Sequence, residues 1–312
     1  RDNGAMWTAP VQVEVGTSCG GGRLCDKPWI ASGPSATAGV DSLYIVYLQQ
    51  GQNSADVLTQ RSDDGGMTWS APVTVARAMM SFDGSTLIPN LAQIATGPSA
   101  LAAVSWVSLS SSQGSVEGNL VRLGSDANRI FFRRSTDGMR TFETTRRVSR
   151  DTDSPVYTQP PVALDGNTTH VMYVSGEPTG AWDIILATST DNGASWRHRK
   201  VNDDPDTCAT HAFPAMVVDP MTHDVHAVWL ENRFGDGALV YARCPADAAR
   251  PCGQNEIVSD MPFNFTTSRN PMTWHGDYIG LTINPATGHL WATWSDTRQG
   301  FPAMYVQRGN AR

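Results

Sequence analysis

The 312-residue sequence predicts an all-β protein built from a repeated unit, on three observations. The phrase Ser62-Asp63-Asp64-Gly65-Gly66-Met67-Thr68-Trp69 returns as Ser189-Thr190-Asp191-Asn192-Gly193-Ala194-Ser195-Trp196, and Ser135 to Phe142 is a worn copy. A phrase that recurs in this way marks a repeat architecture. Glycine and proline number 28 and 19 and only 17% of residues are charged, as suits a turn-rich β protein with a large buried core. Finally, the two ends match. Asp2, Gly4 and Trp7 keep the mutual offsets of Asp64, Gly66 and Trp69, while Pro302 to Arg308 reads as a strand like Asp56 to Arg61 with no phrase after it. Together they make one unit, which would close a ring and remove its open edges.

The residue types explain the phrase. An Asp carboxylate accepts backbone N–H bonds, Gly takes positive φ and the Trp plugs into the sheet below, so each copy reads as a folding staple between strands. On these residues the chain resembles the Asp-box proteins, the bacterial neuraminidase repeat family that includes sialidases. The resemblance implies a β-propeller whose boxes join the third and fourth strands of each four-stranded blade. It bears on the fold far more than on the chemistry.

Taken in order, the N-terminal box leads into Pro10 to Val15, the expected fourth strand of the last blade. The first whole blade uses Asp26 to Pro34, Ser42 to Gln49, Asp56 to Ser62 and Pro72 to Ala76. The second uses Ile88 to Thr96, Ala100 to Ser108, Arg129 to Ser135 and Thr145 to Ser149, with a Ser- and Gly-rich insertion from Ser110 to Asp126 that reads as a long loop. Thr158 to Asp203 is a third. The fourth takes His211 to Asp219, Asp224 to Leu230, Ala238 to Cys244 and Glu256 to Ser259, and the fifth begins at Trp274. The count is five, where sialidases have six, and residues 1–312 are expected to form one propeller domain.

A net charge of −7 without a basic run argues against nucleic acid and anionic membrane partners. No apolar run approaches the roughly 18 residues of a membrane span, and no signal peptide opens the chain, so a soluble protein is expected. Of five cysteines, Cys19 with Cys25 and Cys244 with Cys252 are close pairs. Each would close a small loop as a disulfide, which points to a secreted or periplasmic protein. Metal binding is the rival reading, but neither pair has Cys-x-x-Cys spacing. The second pair stands where the fourth box should be, so a disulfide hairpin is expected to replace the Asp staple there. Cys208 is left over.

In a propeller, the connections into first strands and out of second strands share the face opposite the boxes. That topology gathers Asp26, Lys27, Asn90, Tyr157, Gln159, His211, His275, Asp277 and Tyr278 with Gln49, Glu177, Glu231, Arg233, Asp296 and Arg298. Trp229-Leu230-Glu231-Asn232-Arg233 and Trp294-Ser295-Asp296-Thr297-Arg298 are two copies of one pattern. One reading is that each acid and Arg pair braces its blade, as repeated features usually do. The other is that the Arg forks hold a substrate carboxylate. Sialidases hold their sugar acid with three arginines, one in an Arg-Ile-Pro phrase; here the comparable phrase, Leu87-Ile88-Pro89, lacks the Arg.

Sialidases also use a tyrosine nucleophile activated by a glutamate, on a late first strand. Tyr278 resembles it, with Glu231 or Asp277 as its partner, although a Tyr packed under the rim reads the same way. His211 and His275 open the first strands of adjacent blades; with Asp277 or Asp26 they could hold a divalent metal, or simply each other. No metal or cofactor is otherwise expected.

The resulting expectation is a secreted, monomeric, sialidase-like enzyme that cleaves a glycosidic bond of an acidic glycan. Arg233 and Arg298 would hold the carboxylate, Tyr278 with Glu231 or Asp277 would do the chemistry, and Asp26, His211, His275 and Asp296 would line the funnel. A non-catalytic glycan or protein binder using the same rim is the alternative, and a metal-dependent site at His211 and His275 a third.

Overall fold

The computed structural model describes residues 8–13, 19, 23–37, 39–51, 55–80, 86–110, 128–176, 182–205, 209–234, 236–264 and 276–311. Every regular element among them is a strand. The first sheet holds β1 (Leu24–Pro34), β2 (Asp41–Gln50), β3 (Ala55–Ser62) and β4 (Val73–Arg77). The second holds β5 (Met79–Met80), β6 (Thr86–Thr96), β7 (Ala102–Ser110), β8 (Arg129–Ser135) and β9 (Arg146–Arg147). The third runs β10 (Val162–Asp165), β11 (Thr168–Gly176), β12 (Trp182–Ser189), β13 (Arg197–Lys200), and the fourth β14 (His211–Val218), β15 (Val225–Phe234), β16 (Asp236–Cys244), β17 (Glu256–Ile257). β18 (Gly280–Ile283), β19 (His289–Asp296) and β20 (Ala303–Asn310) form the fifth. Each sheet is a meander of antiparallel neighbours, so the fold is a β-propeller, with five blades among the described residues.

One residue from the innermost long strand of each blade, Trp29, Gln93, Val162, Met216 and Leu281, lines a common central cavity of about 210 Å³. Three of these strands carry the same kink. The register of β1 slips between Asp26 and Trp29, that of β6 between Asn90 and Gln93, and that of β14 between Ala212 and Ala215. In each slip one residue takes the left-handed region: Lys27 (φ 55), Leu91 (φ 49) and Phe213 (φ 53). The carboxyl of Asp26 and the amide oxygen of Asn90 accept the N–H of the residue after them (2.7 and 2.8 Å). These are β-bulges, which re-aim side chains at the cost of local strain.

The three boxes share one set of bonds. Ser62 Oγ accepts Gly66 N (2.8 Å), Asp64 Oδ1 accepts Thr68 N (2.9 Å) and Asp64 Oδ2 accepts Thr68 Oγ1 (2.6 Å). Ser189, Asp191, Gly193 and Ser195 repeat the set, as do Ser135, Asp137, Met139 and Thr141. Bonds from Thr68 and from Ser195 lower the carboxyl pKa of Asp64 and of Asp191 to about 2. A Cβ on Gly193 (φ 81) would come within 2.9 Å of the Phe132 ring, against which Trp196 packs edge-on. The worn box solves the same problem differently: Met139 accepts positive φ (61) and sends its thioether into the first blade, where Thr59 Oγ1 donates to it (3.2 Å). Each staple thereby also joins neighbouring blades.

The fourth blade has no box; the Cys244–Cys252 disulfide closes that turn, and Cys19 pairs with Cys25. The buried core falls into two clusters, one between the first and second blades and one running through the second to the fifth.

The pairing expected between the N-terminal segment and the last strand is not seen among the described residues. β20 is bonded to β19 alone, residues 8–13 form no strand, and Asp2, Gly4 and Trp7 lie outside the described residues. Val13 O instead accepts a bond from Gln60 Nε2 of β3 (3.1 Å). Most of the insertion (residues 111–126), Glu177, Cys208, Trp274 and His275 also lie outside them.

Candidate active site at the channel mouth

First strands begin, and second strands end, on the face away from the boxes, and there the candidate residues separate into three groups. In the first, the bulge of β1 turns Lys27 toward the segment leading into β18. Its ammonium lies 2.5 Å from Asp277 Oδ2, 3.9 Å from Asp26 Oδ2 and 5.6 Å from the centre of the Tyr278 ring. Trp29, two residues on, stacks on Tyr278 with centroids 6.3 Å apart and planes 24° from parallel. These contacts link the first blade to the fifth.

Tyr278 is 41% exposed while Lys27 and Asp277 are largely covered. Burial raises the phenol pKa, the Lys27 charge pulls it back, and Asp26 and Asp277 push it up again. Burial opposes the Lys27 charge most strongly, but the bond it donates to Asp277, together with the charges of Tyr157, Asp277 and Tyr278, outweighs that and holds the ammonium above its ordinary range. Asp277 Oδ1 is buried with no hydrogen-bond partner among the described residues. A half-exposed phenol beside carboxylates and an ammonium is equipped for acid and base work, and the paired rings offer an aromatic surface for the apolar face of a sugar.

The second group is internal. His211 and Glu231 face each other in the register of β14 and β15, both fully buried. Glu231 Oε2 accepts the Trp229 indole N–H (2.8 Å), and Oε1 accepts Arg233 Nε. His211 Nε2 stands 3.2 Å from Glu231 Oε2 and 3.3 Å from Asp204 Oδ1, off the line of a hydrogen bond to either. The rest of the Arg233 fork reaches back to the third blade's exit, donating to Asp203 (2.6 Å) and to Asn255 (2.8 Å). Burial opposes the guanidinium charge, and the bonds it donates to Asp203 and Glu231 hold its pKa above the usual value.

The third group repeats the second one blade on. Asp296, fully buried, accepts the Trp294 indole N–H (2.9 Å) and Arg298 Nε, while Arg298 Nη1 donates to Asp260 (2.5 Å), just beyond β17. The bonds that Arg298 donates, to Asp296 first and then to Asp260, raise its pKa. In both copies the indole orients the acid, the acid grips the Arg, and the Arg clasps the linker from the preceding blade. Trp106, whose indole donates to Ser108 (3.1 Å), is a reduced version in the second blade.

Asp26, Asp277 and Tyr278 are therefore brought together; Glu231, Arg233 and His211 form a separate cluster, and Asp296 with Arg298 another. Lys27 and Trp29 complete the first group; the sequence signal of Lys27 was only its place at the start of a first strand. Asp203, Asp204, Asn255 and Asp260 had none. His275 lies outside the described residues, and no group of three or more His, Cys, Asp or Glu among the described residues could hold a metal ion.

A polysaccharide lyase, the ulvan lyase bound to a GlcA(1-4)Rha3S unit, superposes with a TM-score of 0.58 at 13% identity over 87% of this chain and 62% of its own. A Hadza microbial sialidase follows with 0.55 and 13%, over 92% and 59%, and an α-L-arabinofuranosidase from Fusarium graminearum with 0.56 and 12%, over 91% and 76%. The chain thus spans only about three-fifths of the length of the first two. At these identities the likeness is one of fold. A search of curated proteins gives no match. Residues 48–248 match the BNR repeat-like domain, more than half of the sequence and including all three boxes from Ser62 onward, and the chain belongs to that family.

Proposed function

We propose that this is an exported, carbohydrate-active propeller that takes a glycan at the mouth beside Trp29 and Tyr278 and cleaves a glycosidic bond there. The observation that carries the reading is the half-exposed Tyr278 phenol, stacked on Trp29 and flanked by Lys27 and Asp277. Both Glu231 oxygens are already engaged by Trp229 and Arg233, so the activating carboxylate is Asp277 or Asp26. Tyr278 serves as nucleophile or as general acid and base, and Lys27 steadies the charge that develops beside it.

An acidic glycan suits the clasps. Their inner arms stay on Glu231 and Asp296, while the outer arms of Arg233 and Arg298 lie on Asp203 and the well-exposed Asp260, which a substrate carboxylate can replace one for one. His211, buried beside Glu231, acts from behind as a positioning group, and Asp296 plays the part of Glu231 one blade on. The two disulfides support export to an oxidising compartment.

A second reading, glycan binding without catalysis, is favoured by the mutual neutralisation of Lys27 and Asp277. Hydrolysis of fluorogenic sialosides and uronides separates the two. Cleavage that disappears in Tyr278→Phe supports the enzyme; inertness toward every substrate, together with glycan-array binding, supports the binder.

A further inference from the structure

We propose that the central channel is a subsite for one uncharged, hydroxyl-rich ring, the terminal sugar of the chain held at the mouth. The inference rests on the mouth reading and deepens it, because it commits the protein to grasping a chain end. The cavity is about 210 Å³ and its lining carries no charged side chain. At about 30 Å³ per liquid water, that is room for about seven waters, well beyond what a single structural water fills. Gln159 lines it and is 6% exposed, yet its Nε2 has no hydrogen-bond partner among the described residues. The hydroxyl of adjacent Thr158, 1% exposed, is likewise unpartnered among them. A buried donor left without an acceptor is costly, so such groups normally meet a ligand or ordered water.

Gln93, on the neighbouring blade, adds a second amide to the same wall. Trp29 belongs to both places: it stacks on Tyr278 at the mouth and forms part of the channel lining. A ring passing inward slides along one indole, its C–H face on the aromatic surface and its hydroxyls toward the amides. A uronate is rejected at this depth, since nothing in the lining would pair with a buried carboxylate.

The test is ligand-observed NMR and calorimetry with free neutral monosaccharides and the corresponding uronic acids, on the wild type, Gln159→Leu and Met216→Trp. The expected result is binding of at least one neutral sugar in preference to its uronic acid, weakened at least tenfold in Gln159→Leu and abolished when Met216→Trp fills the cavity from the opposite wall. Absence of any neutral-sugar binding, equal binding of uronates, or unchanged affinity in a folded Gln159→Leu protein overturns the proposal and leaves a channel that holds only water, whatever the polymer assays give. Monosaccharide binding that survives in a protein inert toward every polymer would overturn the cleavage reading and leave the subsite standing.

Discussion

Arg298 and Lys27 are both cations at the rim of neighbouring blades, yet they sit in opposite kinds of environment. Arg298 is saturated: Asp296 holds its inner arm, Asp260 its outer one, and the Tyr305 ring lies 4.1 Å beneath the guanidinium. Lys27 donates to Asp277, whose second oxygen is buried without a partner among the described residues, and stands 3.9 Å from Asp26, beside a phenol open to solvent. The clasp recurs in the fourth and fifth blades with the same Trp, acid and Arg; the Lys27 group occurs once. Saturation and repetition mark a part that first braces its blade and meets a ligand only by exchanging a partner, whereas unmet bonding capacity at an opening marks a site ready to receive one.

The hardest blow to that contrast is Glu231→Ala. It strips a partner from Arg233 and Trp229 at once; removing one member of a buried ion pair costs about 3–5 kcal/mol, and because Asp203 still holds the outer arm of Arg233 the lower end of that range is expected. Urea unfolding measures it, and a loss under about 1 kcal/mol would mean that the clasp braces nothing.

Acid sharpens the contrast next, through the interior of the third blade. Burial lowers the His170 pKa to about 4, against about 6.5 in an unfolded chain. The unfolded chain therefore binds the extra proton first, so stability is complete above pH 6.5 and falls as pH drops toward 4, by roughly 3 kcal/mol. Denaturation midpoints across that range check it, and the slope should flatten in His170→Gln.

At the mouth the expectation reverses. Tyr278→Phe should lower glycosidic cleavage about 10²-fold or more, the usual worth of a positioned acid or base. Unfolding stability should stay within about 0.5 kcal/mol, since the residue is half exposed. A variant that keeps full activity but unfolds easily would place Tyr278 with the clasps instead.

The smallest effect belongs to the boxes. Asp64 and Asp191 have carboxyl pKa values lowered to about 2, so what they contribute is present above about pH 4 and is lost as pH falls toward 2. Asp64→Asn and Asp191→Asn should flatten the acid limb of the stability profile without touching activity.

Much of this molecule was legible in its residues because the relevant bonds are local. A box closes over a few residues, from Ser62 to Thr68, so offsets alone reveal it. Arg129 to Ser135 was located to the residue, and both short cysteine loops were read as disulfides. Half of each clasp was visible for the same reason, the indole, acid and Arg following one another at intervals of two residues along the chain. The other half was not: Asp203 precedes Arg233 by 30 residues and Asp260 precedes Arg298 by 38, and no pattern links them. The expectation that Glu231 serves Tyr278 rests on shared topology, which places residues on one face but does not say which of them touch.

By itself, then, the sequence determined the blade, its staple and the order of its strands, because hydrogen bonds between near neighbours and alternating apolar residues need no distant partner. Tertiary structure alone decided which charges were spent in joining blades and which were left facing the opening. Lys27 meets Asp277 across 250 residues of chain, and only the packing of five sheets about one axis sets that distance.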